Sequence, residues 1–288
     1  MIRNIKKREL AISQPAEKNL FFKQLALRQK ELNSLLCVGL DPDIKRIPAS
    51  VLIKSEPIFA FNKAIVDVTS DLTACYKLQI AHYSSEAAED QLEKTIEYIK
   101  NKNIPVILDA KRGDIGSTAE RYARELFERF GADAATVNPF LGGDSLKPYL
   151  DYKDKGVFVL CRTSNAGGQD VQGLVLESGQ RVFEKIAEKI SEDWNYNDNV
   201  GLVVGATYPK DLARVREIVG ALTILIPGVG AQGADIGSAI GAAGGEGVLI
   251  SSSRAIIYAG EDNFSEDAIR KSAIETRDQI RFHIEKAN

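Results

Sequence analysis

The chain has 288 residues, of which 44% are hydrophobic and 27% charged, with a formal net charge of −3. Those values fit one soluble globular domain with a substantial core, and α/β barrels often reach this size undivided. They exclude a broad nucleic-acid or anionic-membrane surface, and no apolar run approaches a membrane span, so any anionic ligand must be held by a local cluster.

Residues 1–14 carry Arg3, Lys6, Lys7 and Arg8 with no apolar signal core behind them. Residues 1–20 therefore read as a flexible basic extension of a cytoplasmic protein, and residues 21–288 as the folded domain. Eight short β-rich apolar runs follow, at 35–40, 74–80, 105–108, 134–138, 156–162, 200–206, 222–229 and 247–251. Helical patterns lie between most of them. Ile58, Phe61, Ile65, Val68 and Leu72 make one helix face; Ala88, Leu92, Ile96 and Ile99 make another, and Phe183, Ile186 and Ile190 a shorter one. Ser117 and Glu120 have capping-box spacing and predict the start of the helix after the third strand. A last helix is expected from about 265 to 285. Cys37, Cys75 and Cys161 each fall inside a run without metal or redox spacing, and read as packing residues. His82 and His283 are too few for a histidine-rich metal site. Strand–helix alternation eight times over predicts an α/β fold, a single-domain (β/α)8 TIM barrel.

In such a barrel the chemistry sits at the C-terminal ends of the strands. Those ends carry Asp41, Lys77, Asp109 with Lys111, Asn138, Thr163 with Ser164, Gln232 and Arg254. The densest stretch runs from Leu108 to Thr118, with Asp109, Lys111 and Asp114 close together behind an apolar strand. Period two puts Asp109 and Lys111 on one face. Charges so placed are costly unless paired. A structural ion pair closing the strand is the bland reading; the third charge turns the reading toward chemistry.

Gly228, Gly230 and Gly233 fit the spacing of a dinucleotide fingerprint after a strand. A Rossmann unit would place an acid at the end of the next strand, whereas this chain has Ser252, Ser253 and Arg254 there. An arginine suits the phosphate of NADP, yet only one strand remains after the motif. In a barrel, the turns after strands seven and eight form a phosphate site, and Arg254 adds a paired donor. A phosphomonoester site is the preferred reading.

These residues together resemble the orotidine 5′-phosphate decarboxylase family. The run Asp109-x-Lys111-x-x-Asp114-Ile115-Gly116-x-Thr118 is similar to that family's signature. The surrounding order agrees: Gly39-Leu40-Asp41-Pro42, Tyr76-Lys77-Leu78, Thr163-Ser164-Asn165, the stretch from Pro227 to Gln232, and Arg254. The variant around Arg112 resembles the longer bacterial branch, and Ala166 stands where the resemblance places a proline. The resemblance implies cofactor-free decarboxylation of orotidine 5′-phosphate to UMP, with no metal. It implies Lys111 as proton donor in an array of Lys77, Asp109, Lys111 and an Asp114 from the neighbouring subunit of a homodimer. Asp41 and Thr118 would contact the ribose, Ser164 the pyrimidine edge, and Gln232 and Arg254 the phosphate. The glycine-bearing stretch 167–173 is a candidate lid. Two rival readings are metal-dependent sugar-phosphate decarboxylases or aldolases, and a phosphate-ligand binding protein without catalysis. The first wants a carboxylate on strand two, where this chain has Lys77. The second has no need of an expensive lysine–carboxylate array.

Overall fold

Eight parallel strands pair in chain order and close into a barrel, the first returning to the eighth. The computed structural model describes residues 20–228, 235–260 and 264–287. The strands are β1 (Leu36–Gly39), β2 (Cys75–Gln79), β3 (Val106–Arg112), β4 (Ala134–Val137), β5 (Gly156–Arg162), β6 (Val200–Val204), β7 (Ile224–Pro227) and β8 (Val248–Ser252). The helices are α1 (Leu20–Leu32), α2 (Ala49–Leu52), α3 (Pro57–Thr69), α4 (Ala81–Ser84), α5 (Glu89–Lys100), α6 (Gly116–Arg124), α7 (Gly143–Leu150), α8 (Val182–Lys189), α9 (Pro209–Val219), α10 (Ile236–Ala243), α11 (Arg254–Ile257) and α12 (Glu266–Ala287). This is the expected (β/α)8 barrel. The basic extension at 1–20 lies outside the described residues except for Leu20, which opens α1.

Two apolar layers hold the barrel. Between strands and helices, Ile58, Phe61 and Ile65 of α3 and Leu92, Ile96 and Ile99 of α5 are buried at the spacing read from sequence. Inside the barrel, Cys37, Cys75, Ile107, Ala134, Phe158, Val203, Leu225 and Leu249 form one cluster. Phe21 and Leu25 of α1 belong to that same cluster and close the N-terminal end. A side chain at Gly156 would collide with the Phe21 ring, so the start of β5 is shaped for this plug.

Apart from strand ends that shift by one or two residues, two local readings change. The third strand continues to Arg112, so Asp109 and Lys111 lie within it rather than beyond it. The capping box is a correction: α6 starts at Gly116, Ile115 precedes it without a side-chain cap, and Ser117 is exposed in the first turn. Gly116 enters the helix at φ +51, which begins the helix ahead of Ser117 and leaves that hydroxyl no N-cap position.

Candidate active site

The barrel interior dictates what stands above it. Because strand side chains alternate, the residue two positions after an inward residue also faces inward. Cys75 is followed by Lys77, Ile107 by Asp109, Ala134 by Thr136 and Cys37 by Gly39. The next inward step along β1 reaches Asp41, just past the strand. Lys77 and Asp109 are thus carried into the top of the core, with 5% and 7% of their surface exposed.

Buried charges need partners, and these form a row. Lys77 Nζ lies 3.0 Å from Asp109 Oδ2 and 3.7 Å from Asp41 Oδ1. Lys111 Nζ lies 2.6 Å from Asp109 Oδ1. Thr136 Oγ1 donates to the same Asp109 oxygen at 2.8 Å. Asp41 is oriented by the Gln79 N–H at 3.2 Å. The order is Asp41, Lys77, Asp109, Lys111, with opposite charges alternating. Burial works against the charge on Lys77, but Asp41 and Asp109 outweigh it and raise its pKa. Burial likewise works against ionised Asp109, but Lys77 and Lys111 outweigh it and hold the carboxyl far below the usual range. The Lys111 end of the row is the more open one, with 43% of its side chain exposed against 19% for Asp41 at the other end.

The other expected residues fall around this row to different degrees. Asp114 follows β3 and accepts the Ile115 N–H at 2.8 Å; among the described residues it makes no ion pair with either lysine of its own chain. Thr118 is exposed on α6. Ser164 follows β5 and presses on the end of β6, where a Cβ at Gly205 would stand 2.7 Å from the Ser164 backbone nitrogen. Arg254 follows β8 and opens α11 with its side chain exposed. Gln232 lies outside the described residues.

A fold and a charge row do not name a chemistry, but the chain's relatives do. The model of the orotidine 5′-phosphate decarboxylase / HUMPS family matches residues 34–266. The chain belongs to this family. An orotidine 5′-phosphate decarboxylase of Ralstonia pickettii is 56% identical over 265 residues, 90% of this chain and 97% of that protein. One of Aromatoleum aromaticum is 53% identical over 268 residues, 91% of this chain and 99% of that protein. A solved OMP decarboxylase structure from Leishmania donovani superposes with a TM-score of 0.80 at 38% identity, covering 92% of this chain and 98% of that one.

Within the decarboxylase frame, the structure adds residues that sequence reasoning did not single out. Thr136 is one, and its signal was present: it is the polar residue two positions after inward Ala134. Arg162, fully buried at the end of β5, is another. Its guanidinium pairs with Asp211 at 2.9 Å, donates to the Thr163 carbonyl at 2.9 Å and lies 4.0 Å over the Tyr208 ring. Gln172 accepts the Thr163 N–H at 2.8 Å and so ties the 167–173 stretch to the strand end that bears Ser164. An arginine closing an apolar run was the available signal.

Proposed function

We propose that this chain removes CO2 from orotidine 5′-phosphate to give UMP without a cofactor, as a cytoplasmic step of pyrimidine biosynthesis. The observation that carries the reading is the buried alternating row Asp41–Lys77–Asp109–Lys111, open at its Lys111 end. Breaking the bond from C6 to the carboxylate leaves an electron pair in the ring plane, where no adjacent π-system takes it up. The enzyme must then supply fixed positive charge at that carbon. Lys111 supplies it and transfers one Nζ proton to C6 as neutral CO2 departs; the resulting amine regains its proton from solvent. Lys77, enclosed between two carboxylates, is the fixed charge that keeps Asp109 ionised. Asp109 sets a like charge against the substrate carboxylate that is relieved when CO2 leaves. Asp41 and Thr118 hold the ribose, Ser164 reads the pyrimidine edge, and Arg254 with Gln232 holds the phosphate, whose remote binding energy positions the ring.

The same geometry weighs against a metal-dependent reaction. The two carboxylates best placed to share a cation, Asp41 and Asp109, already share the Lys77 ammonium. An ultraviolet assay of orotidine 5′-phosphate, run with and without a chelator, tests the reading. Equal consumption in both is expected. Activity lost in chelator and restored by magnesium moves the chain to the metal-dependent relatives. No consumption in either leaves a phosphate-ligand binding protein.

We propose further that two copies form a homodimer in which Asp114 of each completes the other's row. Asp114 is not joined to its own lysines, and the segments that follow β3 and β4 carry exposed apolar side chains. Ile115 is 59% exposed, Phe140 79% and Leu141 45%. Apolar surface of that kind on the rim suits an isologous interface.

A further inference from the structure

The β3–β4 ladder is interrupted where the charge row sits. Leu108 pairs with Ala135 and Arg112 with Val137, so Asp109, Ala110 and Lys111 stand opposite the single residue Thr136. Such a bulge leaves backbone groups without ladder partners. Lys111 also adopts φ +48, and among the described residues it is the one non-glycine in a strand with a left-handed backbone. A lysine has no local means of favouring that conformation, unlike asparagine or aspartate.

The Thr136 side chain fills the gap. Its hydroxyl oxygen accepts the Lys111 N–H at 3.0 Å, and its single proton goes to Asp109 Oδ1 at 2.8 Å. That carboxylate oxygen is the one Lys111 Nζ meets at 2.6 Å. One hydroxyl therefore fixes the backbone of Lys111 and the carboxylate that receives its ammonium. Thr136 is 1% exposed, so water does not compete for either bond.

We propose that Thr136 is a positioning residue: it locks the β3 bulge and thereby sets where the Lys111 ammonium stands. This inference rests on Lys111 being the proton donor. It separates the roles of the site. Ligand binding is expected to depend on Arg254 and the ribose contacts, and the chemical step on Thr136.

Thr136→Val keeps the shape and removes both hydrogen bonds, whereas Thr136→Ser keeps the hydroxyl. For Thr136→Val, kcat is expected to fall about 10- to 100-fold, the loss typical of a misplaced reacting group, with KM within about threefold. Thr136→Ser should restore kcat to within about threefold of the parent. Amide hydrogen exchange of Lys111 gives a readout independent of turnover: slow in the parent and in Thr136→Ser, fast in Thr136→Val. A folded Thr136→Val with parental kcat, or a protected Lys111 amide in it, overturns the inference. Should Thr136→Val not fold, a Thr136→Ser protein with a tenfold loss of kcat or an exposed Lys111 amide overturns it equally. A parent that does not consume orotidine 5′-phosphate defeats the functional reading instead, and the exchange measurement still decides whether Thr136 holds the bulge.

Discussion

Replacing Lys111 by alanine should separate activity from stability. The substitution keeps a Cβ, so the strained backbone at φ +48 is neither relieved nor worsened. Asp109 loses the ammonium at 2.6 Å but retains Lys77 at 3.0 Å and the Thr136 hydroxyl at 2.8 Å. No buried charge is stranded, and Lys111 is 43% exposed at its side chain, so solvent already screens part of the pair. The expected cost to folding is about 1 kcal/mol or less. Under the proposed mechanism, activity loses two contributions at once. Removing the proton donor costs about 10²- to 10⁴-fold, and removing fixed positive charge at the developing carbanion costs about 10²- to 10³-fold. Together the loss in kcat should be about 10⁴- to 10⁷-fold. The assay is the fall in orotidine 5′-phosphate absorbance, alongside a thermal unfolding curve and a UMP titration. Near-parental melting and UMP affinity within about threefold are expected, because the proposed phosphate contacts lie elsewhere. A folded variant whose kcat stays within tenfold of the parent refutes the proton-donor role.

Arg254→Ala should weaken UMP by about 10- to 100-fold and uridine by less than about twofold, since arginine makes charge-assisted contacts to phosphate oxygens; equal weakening of both in calorimetry would make Arg254 structural. The folded pKa of Asp109 is depressed, so its stabilising contribution is present above the unfolded carboxylate value of about 4 and is lost as pH falls toward the folded value. The melting-temperature gap between parent and Asp109→Asn should therefore hold from about pH 5 to 9 and narrow below about pH 4; a gap unchanged at pH 3 contradicts the pairing. Lys111→Ala and Asp114→Ala proteins, each inactive alone, should complement when mixed, with about a quarter of all sites active after random exchange in a two-fold dimer. Subunit exchange seen by mass spectrometry without any gain in activity removes the shared-site model.

The barrel was legible because each strand is a short apolar run between turn signals, and parallel strands buried on both faces must read that way. The charge row was legible for a related reason: Lys77 is a charge inside such a run and Asp109 one directly after another, and neither can be buried unpaired. Their partner Asp41 came from the same rim rule. What was not legible depends on contacts between distant segments. The two residues that plug the barrel, Phe21 and Leu25, sit on a helix too weakly amphipathic to announce its target. Period two marked Thr136 as a polar inward residue, but its partner is a bulge on another strand that no local pattern encodes. Ser117 carried a true capping signature, yet the glycine before it set the helix start. Arg162 was seen as the end of a strand, but its partners Asp211 and Tyr208 come from the loop and helix after β6.

The strained lysine ties these threads together. A left-handed backbone at a non-glycine residue costs about 1–3 kcal/mol. The two hydrogen bonds of Thr136, one of them to a charged group, return a comparable amount. Strain and tie are therefore of comparable size. A glycine at position 111 would remove the strain outright, but it carries no ammonium. An uninterrupted β3 would also remove it, yet same-face residues on a regular strand stand about 6.6 Å apart along the chain. The bulge instead folds Lys111 back over Asp109, so that both ends of one ion pair come from a single strand. The chain accepts an unfavourable backbone at the position of the proposed proton donor, and the hydroxyl that meets that backbone from the neighbouring strand also bonds the lysine's counter-ion.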